Sequence, residues 1–142
     1  RILNISSVAS MMAGPYMAMY FATKAFVRSL SEAVAHELRG TGVTVTCVCP
    51  GPTATGFAKA ARMGGRNFFT MTRPATARQL AAFAYRTTMR GSALAYHGSL
   101  TKAGAFAERA LPRTLTRRVA AFMNGGDPHA QDLTANRLAG RK

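Results

Sequence analysis

The chain has few acidic side chains, no tryptophan and no long apolar run. Among its 142 residues, 5 Asp and Glu stand against 19 Lys and Arg, which gives a formal net charge of +14. Such a charge ordinarily suggests binding to nucleic acid or to an anionic membrane. The basic residues are dispersed and are not clustered with stacking aromatic side chains, so nucleic-acid binding is disfavoured. Because no run of about eighteen apolar residues occurs, no membrane-spanning helix is predicted.

Cysteine and histidine are also scarce, with 2 and 3 residues. Cys47 and Cys49 lie two apart on a predicted strand, where a disulfide between them would be strained. They are interpreted as small buried side chains in a reducing cytoplasm. The histidines are scattered and have neither metal-ligand spacing nor a nucleophile beside them, so no metal site and no hydrolase is predicted.

A glycine-rich turn of the G-x-G-x-x-G or G-x-x-x-G-x-G type is missing from the sequence. Dinucleotide-binding folds hold the pyrophosphate of the cofactor with such a turn, placed between a strand and a helix. The sequence therefore contains no recognisable turn for binding the pyrophosphate of such a cofactor.

The part of the chain before residue 57 alternates strand and helix patterns. Residues 1–5 are apolar and β-branched, as in a buried parallel strand, and residues 43–49 predict a second buried strand. Between them a helix is predicted from Met17 to Arg39, and Gly40 ends it. Its predicted buried stripe consists of Phe26, Leu30, Val34 and Leu38.

The rest of the chain has a weaker pattern. A helix is predicted from Thr76, its N-cap, to about Arg90, with Gly91 as the stop, followed by a strand over residues 92–98. An amphipathic helix is predicted at about 111–123, with an apolar stripe of Leu111, Leu115, Val119 and Phe122. Packing on its own domain or on a partner subunit is the favoured interpretation of that helix, and docking at an anionic membrane surface is the alternative. A polar tail, predicted to be disordered, follows over 124–142.

Residues suited to carbonyl chemistry surround the first strand and the long helix. Ser6 and Ser7 end the strand, and Tyr20 and Lys24 lie one helical turn apart, so that phenol and ammonium can point into one cleft. Hydride reduction of a ketone leaves charge on its oxygen, which requires a proton donor and a second hydrogen bond there. A phenol has a pKa of about 10, and a nearby ammonium favours the phenolate.

Three motifs in this order carry a family resemblance: Asn-Ile-Ser-Ser at 4–7, Tyr-Phe-Ala-Thr-Lys at 20–24, and Cys-Pro-Gly-Pro-Thr-Ala-Thr at 49–55. They resemble the second half of a short-chain dehydrogenase/reductase of the long-established branch, nicotinamide-dependent enzymes on a Rossmann fold. The resemblance covers about residues 1–57. It implies an α/β chain that is the C-terminal portion of a doubly wound Rossmann-type parallel sheet, with the N-terminal cofactor-binding half missing. One domain would extend over 1–123, and its open sheet edge predicts poor stability or aggregation of the isolated chain.

The resemblance also implies roles for the catalytic candidates. Tyr20 would be the acid in reduction and the base in oxidation, and Lys24 would in addition hold the ribose hydroxyls of the nicotinamide. Ser7 has the family's spacing to the tyrosine and is chosen for the carbonyl contact, with Ser6 as the alternative.

Further site candidates follow from the same resemblance. The cofactor-binding residues would be Tyr20, Lys24, Pro50, Gly51, Thr53 and Thr55, with Thr55 on the carboxamide of the nicotinamide. Without the resemblance, the Pro-Gly pair is an ordinary turn. Substrate-lining candidates are Tyr16, Phe57, Phe68 and Phe69, the last three within a substrate loop at about 56–75. Tyr16 is alternatively a helix-start residue.

The predicted function is interconversion of a carbonyl and an alcohol by an NAD(P)H-dependent bacterial oxidoreductase. NADP(H) is favoured over NAD(H), the substrate would be a hydrophobic small molecule, and the full protein would be a cytoplasmic homo-oligomer. The alternative is a catalytically inactive fragment that acts as a binding or interaction module, with peripheral contact to an anionic membrane as one form of it.

Overall fold

A computed structural model describes residues 1–57 and 73–124 of the protein. The strands are β1 (Ile2–Ile5), β2 (Val45–Pro50), β3 (Thr53–Ala54), β4 (Ala75–Thr76) and β5 (Leu94–His97). The helices are α1 (Ala18–Glu37), α2 (Ala77–Met89), α3 (Ser99–Ala110) and α4 (Arg113–Met123), and a short 3-10 helix covers Val8–Met11. The predicted substrate loop lies largely outside the described residues, and so does all of the predicted tail beyond Asn124.

The centre of the fold is a parallel sheet of three strands in the order β1-β2-β5. Asn4 lies opposite Cys47, and Cys49 lies opposite Tyr96. Residues Val45 to Cys49 are all buried, and both α1 and α2 pack against β2. Because successive side chains of a strand point to opposite faces, both faces of β2 are covered. The hydrophobic core therefore lies along β2.

The fold belongs to the predicted α/β class, but the description of it as the C-terminal portion of a doubly wound sheet is wrong. The observed sheet starts at residue 2 with β1, and its strands pair among themselves in the order β1-β2-β5. Strands β3 and β4 form a separate parallel pair, which the sequence does not predict. Strand patterns locate single strands along a chain, whereas their pairing is decided by packing in three dimensions.

Strand β1 is more exposed than its apolar sequence predicts. Ile2, Leu3 and Ile5 are 40–45% exposed. The reason is that, among the described strands, β1 lies at an edge of the sheet and pairs with β2 alone. The prediction of a buried first strand is therefore wrong.

Helix α1 matches its predicted bounds within two residues, but its buried face differs from the predicted stripe. Phe26 is 65% exposed and Leu30 is 47% exposed. The buried residues are instead Phe21 and Ser31. The Asn4 side chain donates to Ser31 Oγ at 2.9 Å, and Ser31 Oγ donates to the Val27 carbonyl at 2.6 Å. This polar link between β1 and α1 orients the helix with its small polar side inward.

The helices after residue 76 confirm some predictions and correct others. Thr76 caps α2 as predicted, because Thr76 Oγ1 accepts from Gln79 N at 3.2 Å and Thr76 N donates to Gln79 Oε1 at 2.9 Å. Helix α3 is absent from the prediction. Helix α4 lies where it is predicted, but it buries Thr116 and Ala120 and leaves its large apolar stripe outside. No helix in the described ranges is long and apolar enough to cross a membrane.

Candidate active site

A cavity of about 240 Å³ opens at the carboxyl ends of β1 and β2, beside the start of α1. Open parallel sheets place their ligands at this edge. The predicted site residues that line the cavity are Ser6, Ser7, Tyr20, Lys24, Pro50, Gly51, Thr53, Thr55 and Phe57. The fold therefore brings three separate stretches of sequence to one place.

Ser6 and Ser7 are both buried at the end of β1, but their hydroxyl groups differ in what they contact. Ser6 Oγ donates its hydrogen to the Lys24 carbonyl at 2.7 Å. Ser7 Oγ accepts from Ala9 N at 3.1 Å and so caps the 3-10 helix. A hydroxyl that only accepts keeps its own hydrogen for another partner. Within the described part of the chain, Ser7 is the serine of the two whose hydroxyl hydrogen is not donated, and a substrate carbonyl would need such a donor.

Tyr20 and Lys24 lie on the first two turns of α1, on the side that faces the cavity. Lys24 Nζ donates to the Ile5 carbonyl at 3.0 Å and lies 5.9 Å from the centre of the Tyr20 ring. The ammonium group has three hydrogens, so further donors remain beside the tyrosine. The bond to Ile5 ties the lysine to the end of β1, next to the two serines.

The turn before α1 sets the position of Tyr20. Met17 N donates to the Gly14 carbonyl at 3.2 Å, and Tyr16 has a φ of 66°, in the left-handed region. A β-carbon on residue 14 would overlap the Phe21 ring, so only glycine allows the helix to approach this closely. Tyr16 is 57% exposed and lies outside the lining of the cavity. The structure thus does not bring this substrate-lining candidate into the site.

The segment after β2 contributes threonine hydroxyl groups and a tight turn. Thr53 Oγ1 donates to the Gly51 carbonyl at 3.1 Å. Thr55 Oγ1 accepts from Phe57 N at 3.3 Å, which leaves its hydrogen available. A β-carbon on Gly51 would overlap Thr101 Oγ1 of α3. Gly51 therefore permits the close packing of α3 against this turn.

Apolar side chains form most of the remaining lining. The Phe57 ring lies 5.0 Å from the Tyr20 ring, centre to centre, and lines the cavity. The lining also includes residues that the sequence motifs do not predict: Met12, Met17, Leu80, Ala120, Met123 and Asn124. Asn124 Nδ2 donates to the Pro15 carbonyl at 2.9 Å and holds the end of α4 against the turn before α1. Phe68 and Phe69 lie outside the described residues.

The two cysteines lie behind the serines, fully buried on β2. Hydrogen bonding from Cys47 lowers the pKa of the Cys49 thiol to about 7, against the opposing effect of burial. The pKa of Cys47 is raised, because its thiol donates to Cys49 and because it is buried. Since neither thiol contacts solvent, both are structural groups.

The donors of the cavity suit a nicotinamide and its ribose. Lys24 has ammonium hydrogens left for ribose hydroxyls, and Thr55 has a hydroxyl hydrogen left for a carboxamide oxygen. The described residues hold no group of three or more His, Cys, Asp or Glu that could bind a metal ion. The fold and this cavity define an α/β protein with a Ser, Tyr and Lys site at the carboxyl edge of a parallel sheet.

Comparison with known proteins finds a similarity for the first part of the chain. Residues 1–65 match the family model described as short chain dehydrogenase. A short-chain type dehydrogenase/reductase of Picea abies is 49% identical over 55 residues, which are 39% of this chain and 20% of that protein. A 3-oxoacyl-[acyl-carrier-protein] reductase of Synechocystis sp. is 53% identical over 55 residues, 39% of this chain and 22% of that protein. The matched segment thus spans about a fifth of each curated relative.

The fold has a counterpart among solved structures. A short-chain dehydrogenase from Sphingobium yanoikuyae in complex with NADPH superposes with a TM-score of 0.60 at 27% identity, covering 77% of this chain and 42% of that one. The backbone likeness thus extends beyond residue 65.

These matches correct the family prediction in one respect. The chain is predicted to be, as a whole, the C-terminal half of a family member, and this is wrong. The family model and the curated alignments lie in the N-terminal part of this chain and do not cover its C-terminal half. The motifs that carry the resemblance all lie before residue 57, so they support the family only for that part.

Proposed function

We propose that the protein is an NAD(P)H-dependent oxidoreductase that interconverts a carbonyl compound and an alcohol. One observation supports this above the others: a single cavity is lined by Ser7, Tyr20 and Lys24, which come from the end of β1 and two turns of α1. A serine donor, a phenol and an ammonium at one site match the needs of carbonyl reduction. The similarity of residues 1–65 to short chain dehydrogenases supports the same reaction class.

Each of these residues has a task in the proposed reaction. The nicotinamide, when bound, supplies the hydride for the carbonyl carbon. Ser7 donates a hydrogen bond to the carbonyl oxygen and holds it in line. The Tyr20 hydroxyl transfers its proton to that oxygen as the alcohol forms, and the Lys24 ammonium stabilises the phenolate that remains. In the oxidation direction the same phenolate takes the proton back.

The cofactor would be NADP(H) in preference to NAD(H). It would be held by residues of the motifs at 20–24 and 49–55. Lys24 would donate to the ribose hydroxyls and Thr55 to the carboxamide, while Pro50, Gly51 and Thr53 shape the backbone beside them. The Sphingobium yanoikuyae structure contains NADPH, which supports this preference.

The substrate would be a hydrophobic carbonyl compound. Met12, Met17, Phe57, Leu80 and Met123 line the cavity, and such apolar walls favour acyl or lipid-like ligands. The 3-oxoacyl reductase of Synechocystis sp. is a relative whose name indicates a substrate of that kind. The protein would act in the cytoplasm, where its two free cysteines remain reduced.

The full protein would be a homo-oligomer that associates through α1. Met19, Phe26 and Leu30 are 78%, 65% and 47% exposed on this helix. Exposed large apolar side chains at helical spacing are typical of a subunit interface.

Turnover of NADPH and NADH with a panel of hydrophobic ketones and aldehydes tests the proposal, using the complete gene product that contains these residues. We expect Tyr20→Phe to lower kcat at least about a hundredfold, because it removes the proton donor. Tyr16→Phe is the matched control, since Tyr16 lies outside the cavity. Equal activity of the two variants would contradict the proposal. If the wild-type protein shows no turnover with any carbonyl, the interaction-module alternative replaces it.

A further inference from the structure

A basic crevice lies beside the cavity of the candidate active site. It has a volume of about 440 Å³ and lies between the 3-10 helix, α1, α3 and α4. Its polar lining consists of Ser10, Glu108, Arg113, Thr116 and Arg117, and the rest of the lining is methionine and alanine. Ser10 Oγ donates to the Ser7 carbonyl at 2.6 Å, and Thr116 Oγ1 donates to the Arg113 carbonyl at 3.1 Å. Both hydroxyl hydrogens are thus used within the protein, and the charged side chains remain for a ligand.

The charge in the crevice is positive. Arg113 and Arg117 lie one turn apart on α4, so both are on one side of that helix. The carboxylate in the crevice is Glu108, on α3. Within the described part of the chain neither arginine has a carboxylate oxygen within 4.0 Å, and the ion pair found there joins Arg28 to Glu32 on α1. Two guanidinium groups against one carboxylate therefore leave a positive charge that no described side chain neutralises.

The first residue of α4 is one of these arginines. The helix begins at Arg113 after Pro112, no side-chain hydrogen bond caps it, and its first turn holds no acidic residue. The positive end of the helix dipole therefore coincides with an arginine, and this proximity of like charges lowers the stability of the helix. An anion in the crevice would offset both charges, so the local electrostatics favour an anionic ligand.

The crevice and the active-site cavity adjoin each other along three elements. Met12, which follows the 3-10 helix, lines both spaces. On α1, Lys24 lines the cavity and Ala25 lines the crevice. On α4, Ala120 lines the cavity and Thr116, one turn earlier, lines the crevice. Because a methionine side chain is unbranched and adapts its shape, a small molecule in the cavity would extend past Met12 to the arginines.

We propose that the crevice binds an anionic group, and that this group is the far end of the carbonyl substrate; the second part rests on the proposed reductase function. The carbonyl would lie at Ser7 and Tyr20, and an apolar chain would pass Met12. A carboxylate or a phosphate at the end of the chain would bind Arg113 and Arg117, since guanidinium groups donate paired hydrogen bonds to either anion. The substrate would thus be an amphipathic carbonyl compound with one anionic end.

Non-reacting ligands test the anion site apart from catalysis. Isothermal titration calorimetry of the complete gene product measures the Kd of decanoate, of decyl phosphate and of the neutral decanol. We expect at least one anion to bind about tenfold more tightly than decanol, and the tighter of the two identifies the anionic group. Arg117→Gln should remove that preference. Arg118→Gln is the matched control and should keep it, because it removes the same charge from the next residue of α4, which lies outside the crevice lining.

Glu108→Gln should have the opposite effect on the same anion. It should tighten binding severalfold, because a like charge no longer faces the ligand. Glu37→Gln makes the same change in charge at the C-terminal end of α1 and should leave the Kd unchanged. The Kd of decanol should be the same in all four variants, whereas a loss of folding would raise it together with the Kd of the anions.

Turnover separates this inference from the proposed reductase function. Carbonyl compounds that end in the anionic group selected by calorimetry are compared with their methyl esters, over a series of chain lengths. We expect the best anion to have a KM about tenfold below that of its ester, and Arg117→Gln to raise this KM with kcat unchanged.

Two results would overturn the anion site while the reductase stands. They are turnover with equal KM for anions and esters, and equal loss of anion binding in Arg117→Gln and Arg118→Gln. The converse result, anion binding that depends on Arg117 without turnover of any carbonyl, would support the anion site and contradict the reductase.

Discussion

The two serines at the end of β1 differ in the hydrogen bonds that their hydroxyl groups make. Ser6 donates to the Lys24 carbonyl and thus links β1 to α1, while Ser7 accepts from Ala9 N and keeps its hydrogen. Spacing to Tyr20 favours Ser7 on the sequence, and the hydrogen bonds support that choice on independent grounds. The role of each serine is therefore separable by experiment.

Ser7→Ala should lower kcat for carbonyl reduction about a hundredfold, with a small change in stability, because a hydrogen bond to the reacting oxygen is lost. Ser6→Ala is the control and should retain most of the turnover. It should lower the free energy of unfolding by about 1 kcal/mol through loss of its bond to the Lys24 carbonyl. Steady-state kinetics and urea unfolding measure the two effects. The reverse ranking of the two variants in kcat would assign the carbonyl contact to Ser6.

Residues of the site differ in how far the sequence predicts them. Ser7, Tyr20, Lys24 and Thr55 stand in motifs with fixed spacing, and the fold places all four on one cavity. Met123 and Asn124 belong to no motif. They reach the cavity only because α4 packs against the turn before α1, a contact between residues far apart in sequence. The small side chains of Thr116 and Ala120, which form the inner side of α4, are the sequence feature that could have indicated which end of this helix packs on the site.

Among the elements, the turn after β2 depends on a contact with a helix that the sequence does not predict. Gly51 lies so close to Thr101 of α3 that a β-carbon would overlap Thr101 Oγ1. Thr101 is 7% exposed and has little space to move aside. The glycine is thus required for packing, apart from any role beside a cofactor.

Gly51→Ala should lower the free energy of unfolding by about 2 kcal/mol, because the added methyl group overpacks this contact. Thr101→Ala removes Thr101 Oγ1, the atom that the added methyl group would overlap. The double variant should therefore recover most of the lost free energy of unfolding. Gly51→Ala with Thr101→Val is the matched control, since valine keeps a group at the position of the oxygen. Urea unfolding of these variants and the wild type measures the coupling. Purely additive effects of the two changes to alanine would show that the contact does not limit the packing.

The helices show why an apolar pattern does not determine which face is buried. The pattern predicts that α1 buries a stripe of large apolar side chains, yet Phe26 is exposed while Ser31 is buried. For α4 the favoured interpretation is packing on its own domain or on a partner subunit, and in the structure Phe122 is exposed while Thr116 is buried. Helix α1 packs on β2, where a small side chain allows a close approach, and the hydrogen bond from Asn4 to Ser31 adds a polar reason. Helix bounds follow from local signals such as the threonine cap of α2, whereas helix rotation depends on the partner surface.

At the scale of the whole molecule, the fold leaves apolar surface on an edge strand and on α1. Ile2, Leu3 and Ile5 of β1 are 40–45% exposed, and β1 pairs with β2 alone in the part of the chain that the structure describes. The strand periods predict an α/β chain with parallel strands, but not the exposure of β1, which depends on the neighbours of each strand. Surfaces of this kind promote association with other chains.

Phe26→Ser should raise the Kd of self-association about a hundredfold, because a symmetric interface through α1 would lose the buried ring from both copies. Phe122→Ser is the matched control on α4 and should leave the Kd unchanged. Sedimentation velocity over a range of concentrations measures both. If Phe122→Ser weakens association more than Phe26→Ser, the interface lies on α4.

In the proposed reaction, a carbonyl bound in the cavity at the carboxyl edge of β1 and β2 receives hydride from the nicotinamide, with Tyr20 as the acid. The most direct test supplies NADPH deuterated at the transferable position of the nicotinamide to the complete gene product and a hydrophobic ketone. Mass spectrometry then follows deuterium on the carbinol carbon of the product. We expect a singly deuterated alcohol from the wild type and from Tyr16→Phe, and almost none in the same time from Tyr20→Phe. Deuterium incorporation by Tyr20→Phe at the wild-type rate, or its absence from the wild-type product, would contradict the proposed reaction.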